Sequence, residues 1–103
     1  MYIYNITIKI DHSIEQRWLD WMIHKHIPEV METGTFSQYR ICRLLGLEET
    51  DGITFAIQYH FPDLDSFQKY QQEHAPRLKA QAKKLFPNKF VAFRTMMQIL
   101  DKS

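Results

Sequence analysis

Twice in this chain a helical pattern bearing aromatic residues on one face runs into a His-x-Pro step, at His26-Ile27-Pro28 and again at His74-Ala75-Pro76. Proline disfavours helical geometry in the residue before it and donates no backbone hydrogen bond, so each step predicts an interrupted helix. An alternating apolar run precedes and follows each helical stretch. The resulting order, βαββαβ, predicts one α+β domain over residues 1–103. Its expected form is a ferredoxin-like sandwich, a four-stranded antiparallel sheet with the helices on one face.

The individual elements are legible from period and punctuation. Tyr2 to Ile10 alternates as a strand, with Tyr2, Tyr4, Ile6, Ile8 and Ile10 on one side. "SIEQ" at Ser13–Gln16 has the form of a capping box and predicts a helix start. Ile14, Trp18, Leu19, Trp21, Met22 and Ile23 then give that helix a broad apolar face, as expected of a helix laid on a sheet. It is expected to end near Lys25, with a new turn from Pro28 closed by Thr33-Gly34. Strands over Phe36–Leu45 and Ile53–Phe61 should form a hairpin across the polar loop ending in Asp51-Gly52. Asp63 is a suitable cap for a helix with Leu64, Phe67, Tyr70, Gln71 and His74 along one stripe. A further helix from Pro76 presents Leu78, Ala82 and Leu85 inward, and a last strand runs from Phe90 to Leu100.

Several functional classes are excluded at this level. A net charge of +1 gives no long-range field toward nucleic acid or an anionic membrane. The RNA-recognition fold shares the βαββαβ order, but its third strand needs stacking aromatics after a basic-Gly start. Here that strand opens with Asp51-Gly52-Ile53. A single Cys42 excludes an internal disulfide, "MYIYNITIKID" lacks the regions of a signal peptide, and no apolar run approaches a membrane span. The expectation is a cytoplasmic protein with neither nucleic-acid nor membrane partner.

Helices on one side leave the other side of the sheet to be covered. If Tyr2, Ile6, Ile8, Ile53, Phe55, Ile57, Val91 and Phe93 face the helices, the other face carries Ile3, Asn5, Thr7, Gln38, Arg40, Cys42, Leu44, Gln58, His60, Phe90, Arg94 and Met96. Such a mixed face with several large apolar groups marks an interface. It predicts a homodimer formed through the sheet face, enclosing a polar-lined cleft.

The run "WLDWMIHKHIPEVMETGTFSQYRICRLLG", the "QYHF" strand, the "EHAPRLKA" helix and the terminal "KFVAFRTMMQIL" resemble the DUF4286 family, small bacterial proteins of unknown function. More broadly, Trp-x2-Trp-x4-His-x-Pro followed by Gly and Phe looks like the dimeric α/β-barrel superfamily, which includes EthD-like and antibiotic-biosynthesis monooxygenase-like proteins. The resemblance implies the sheet-to-sheet dimer and a cleft for a small organic molecule. It implies no particular activity, because function varies widely on this fold.

Candidate site residues follow from chemistry. His26, at the edge of an apolar helix face beside a chain break, could act as a base or ligand; the plainer role is a hydrogen bond to backbone groups freed by Pro28. His74 ends the stripe of Phe67 and Tyr70 and is either a packing residue or a second catalytic candidate. Haem-degrading members of the superfamily carry a first-strand Asn with a Trp and a His on the second-half helix. This chain is similar at Asn5 and His74 but has Tyr70 at the Trp position, which weakens that reading.

No metal site is expected, since His24 and His26 project to different sides of a helix, and no cofactor is expected either. Arg77, Lys79, Lys83, Lys84 and Lys89 read as a solvated basic face. The leading expectation is a dimer binding a small organic molecule, between sheet and helices or between the two sheets, with Asn5, His26, Arg40, His60, His74 and Arg94 as its polar lining. A cofactor-free or haem-dependent monooxygenase is the alternative. A structural or regulatory dimer without a ligand is the third possibility.

Overall fold

Strand β1 (Tyr2–Ile10) occupies the inside of the sheet in the computed structural model, which describes residues 1–103. It pairs antiparallel with β3 (Ile53–Phe61) on one side and β4 (Phe90–Gln98) on the other. Strand β2 (Gln38–Arg43) adds to β3, giving the order β2-β3-β1-β4 of the ferredoxin-like fold. The expected architecture is therefore present, with shorter second and last strands than the alternation suggested.

The pleat sorts side chains by parity. Tyr4, Ile8 and Ile10 lie beside Tyr59, Phe55 and Ile53, and all six are buried under the helices. Phe36, Tyr59, Phe61, Phe67 and Tyr70 close around Tyr4 in a continuous aromatic cluster, with Phe61 and Phe67 stacked at 4.8 Å. Trp18 fills the other end of the core against Phe55, centroids 4.9 Å apart.

Strand β4 corrects the expected faces. Ile6 pairs with Arg94, and Ile8 with Ala92, so Phe90, Ala92, Arg94 and Met96 share the helix side. Val91 and Phe93 point the other way, 60% and 70% exposed. "FVAFRTMM" has apolar residues at both parities, so alternation alone could not choose its register.

The first helical segment is longer than its Pro28 suggested. Asp11, not Ser13, is the cap: its carboxylate accepts from the Ser13 N–H at 2.9 Å and the Ser13 hydroxyl at 2.6 Å. A short 3-10 turn (His12–Ile14) leads into α1 (Glu15–Trp21), a π turn (Met22–His26) and α2 (Ile27–Glu32) without a break. The turn widens just upstream of Pro28, whose ring would clash with the His24 carbonyl in a regular α-helix. Thr33-Gly34 closes the segment as expected, with Gly34 at φ +79°.

The second His-x-Pro step does break its helix. α3 (Leu64–Glu73), capped by Asp63 on the Ser66 N–H at 2.7 Å, ends at His74, and α4 (Ala75–Leu85) restarts with Pro76 in its first turn. Leu78 is buried as expected, but Leu85 is exposed and Phe86 takes the inward position. No helix is long and apolar enough to cross a membrane.

Candidate functional site

Between the sheet and the helices lies a cavity of about 60 Å³. Its floor is Tyr4, Ile6, Ile8, Ile57 and Tyr59, with Ala92 and Arg94 from β4. The first helical segment contributes Trp18, Trp21, Met22, His26 and Val30; α3 and α4 contribute Tyr70, Leu78, Lys79 and Ala82. Fourteen of the seventeen lining residues are hydrophobic, which leaves His26, Lys79 and Arg94 as its strongly polar members.

The π turn brings Trp21 and His26 together. Their rings stack at 4.6 Å with planes 28° apart, and neither Trp21 Nε1 nor His26 Nδ1 has a hydrogen-bond partner. The ring thus does not serve backbone groups freed by Pro28 through Nδ1. Tyr59 Oη, in the same wall, is buried and unpartnered too. Burial pushes the His26 pKa down to about 4; the Glu29 carboxylate opposes this shift and the Arg94 guanidinium adds to it. The imidazole is therefore neutral at pH 7. Burial raises the Tyr59 and Tyr70 phenols, and raises Tyr4 against the opposing influence of Arg94.

The six expected lining residues fall in three places. His26 and Arg94 meet at the cavity, Arg94 because of the corrected β4 register. Asn5, Arg40 and His60 are on the opposite face of the sheet. There Asn5 donates to the Thr7 hydroxyl at 3.0 Å and accepts from Gln58 at 3.3 Å, while Arg40 sits across from Gln58. His60 is buried, with Nε2 unpartnered; burial lowers its pKa, as do the charges of Arg40 and Lys102. His74 is at the α3–α4 junction, its ring 6.1 Å from Tyr70, beside a polar hollow that includes Thr33, Thr35 and Lys69.

Trp21, Tyr59 and Lys79 complete the cavity; the sequence reading put Trp21 on an apolar helix face and Lys79 on a solvated basic face, and did not single out Tyr59. Lys79 had one available signal: it lies three residues before Ala82 on a helix, hence on a face that also points inward. No cluster of His, Cys, Asp or Glu could hold a metal ion.

The family model described as "Domain of unknown function (DUF4286)" matches residues 1–100. No curated protein matches the chain. Among solved structures, a mutant of MhuD with two manganese protoporphyrin IX bound per active site superposes with TM-score 0.73 at 13% identity, covering 100% of this chain and 98% of that one. A dimeric ferredoxin-like protein from an uncultured marine organism gives TM-score 0.68 at 9% identity, covering 99% and 97%. A mutant of SnoaB, a cofactor-independent oxygenase from Streptomyces nogalater, gives 0.67 at 11% identity, covering 98% and 95%. At these identities the likeness establishes the fold alone.

Proposed function

This chain belongs to the DUF4286 family, to which no function is attached, and we propose that it binds a small organic molecule in the cavity between its sheet and helices, as one half of a homodimer. One observation carries the binding reading. Trp21, His26 and Tyr59 all line a single apolar cavity, and each has a buried polar atom without a partner, Nε1, Nδ1 and Oη respectively. Each such group costs about 1–3 kcal/mol if left unsatisfied, and a ligand offering complementary polar atoms would recover that.

The cavity's about 60 Å³ lies well below the roughly 300–1,000 Å³ of drug-sized pockets, so a small aromatic ligand enters it only if the helices move away from the sheet. A porphyrin does not fit it. Asn5 and His74, the pair the haem resemblance nominated, stand on opposite sides of the sheet. Binding without turnover is favoured over oxygenase chemistry, because an imidazole titrating at about 4 is a weak base at neutral pH.

The homodimer is supported by Val91, Phe93 and Met97, exposed on the outer sheet face, and by the printed description of a fold neighbour as dimeric. Native mass spectrometry of freshly purified protein tests both parts. The expected result is a dimer carrying a small adduct that is lost in Ala82→Leu, which fills the cavity. A dimer whose adduct persists in that variant, or no adduct at all, would overturn the cavity reading; a monomer would overturn the assembly.

A further inference from the structure

Lys79 and Arg94 approach the same cavity from opposite layers, Lys79 from α4 and Arg94 from β4. Neither takes part in any ion pair of the protein. Glu29, the carboxylate whose charge reaches His26, pairs through Oε1 with Lys25 at 2.8 Å and lies 3.9 Å from Arg77 through Oε2, so it makes no ion pair with Lys79 or Arg94. Arg94 lines the cavity while staying solvent-exposed, Lys79 is half-buried beside it, and two like charges brought to one apolar cavity without a counter-charge repel each other. Lys79 shows this: burial lowers its pKa, and the charges of Arg94 and Lys83 lower it further.

Resting on the cavity reading above, we infer that the ligand is an aromatic carboxylate, its ring lodged among Tyr4, Trp21 and Tyr70 and its anionic end held between Lys79 and Arg94. The guanidinium fork suits a carboxylate's two oxygens, and the ammonium adds a point charge from the facing helix. The body of the ligand meets rings that favour offset or edge-on aromatic contact. The Trp21 N–H is a donor and the neutral His26, stacked on it, has an unpartnered Nδ1, so a ring hydroxyl on the ligand would find partners there.

The test uses two matched pairs of probes, benzoate with benzamide and 1-naphthoate with 1-naphthamide, titrated into the full chain and followed through the Trp21 indole N–H resonance. Each carboxylate is expected to bind about tenfold or more tightly than its uncharged amide. Lys79→Gln and Arg94→Gln should each reduce that ratio, and the double variant should abolish it while amide binding is retained. Equal binding of anion and amide to the unmodified protein would overturn the anion preference and leave the cavity reading standing. If no probe moves the Trp21 resonance, the cavity reading itself fails, and the inference with it.

Discussion

His26 lies face to face with Trp21, five residues upstream, with ring centroids 4.6 Å apart. Residues five apart on a regular α-helix are separated by roughly 140° around the axis and cannot stack. The π turn, in which the Ile27 N–H reaches the Met22 carbonyl, aligns them. The first helical segment therefore shows the cavity an indole and an imidazole as one unit.

That burial makes stability depend on pH. An unfolded chain protonates His26 near 6.5, whereas the folded protein resists until about 4. Stability is therefore unaffected above about pH 6.5 and falls as the pH drops from 6.5 to 4. The loss from this residue is about 3 kcal/mol. Asp11, Glu29 and Asp51, all with lowered pKa values, add a loss of the same sign at lower pH. Urea midpoints of wild type and His26→Phe between pH 7.5 and 4 isolate the histidine: wild type should lose stability relative to the variant as the pH falls from 6.5 to 4, and a constant difference between the two curves would remove its buried neutral state.

Phe93 tests the proposed dimer. Phe93→Glu places a charge at the centre of the exposed apolar group on the outer sheet face, and sedimentation velocity should show a monomer where wild type sediments as a dimer. The thermal transition of the isolated subunit should be little changed, since the side chain touches none of the buried core.

Trp18 carries the opposite expectation. It is 1% exposed and packed on Phe55, so Trp18→Ala should lower unfolding free energy by about 3–5 kcal/mol, read from denaturant midpoints. A variant as stable as wild type would mean the first helical segment is misplaced.

Gly52 is fixed by a close approach. A Cβ built there would lie 2.7 Å from the Ile10 carbonyl oxygen, a backbone atom tied into the sheet, and the residue has φ +155°. Gly52→Ala should cost about 1–3 kcal/mol in chemical denaturation, with the far-ultraviolet spectrum of the folded state preserved.

The fold was largely legible because most elements announce themselves locally: β1 alternates cleanly, Asp51-Gly52 turns the hairpin, and Asp63 caps α3. The cavity was less so. Placing Arg94 on the helix side depends on the pairing of Ile6 with Arg94, a relation between distant strands that "FVAFRTMM" does not encode by itself. The Trp21–His26 stack depends on a wider helical turn, whereas 3.6-residue periodicity groups His26 with Met22. Lys79 was hidden within a basic run that otherwise does face solvent, as Lys83 and Lys84 do.

The two His-x-Pro steps have opposite mechanical outcomes. In the first half the segment runs on past Pro28, leaving a continuous strut that carries Trp21 and His26. In the second the helix ends at His74 and a new one starts at Ala75, so the helix bearing Lys79 is set at a bend to its predecessor, with the His74 N–H still bonded to the Tyr70 carbonyl at 2.9 Å. The two walls of the chamber therefore differ in build, one a single unbroken run of helical turns and the other two helices meeting at an angle.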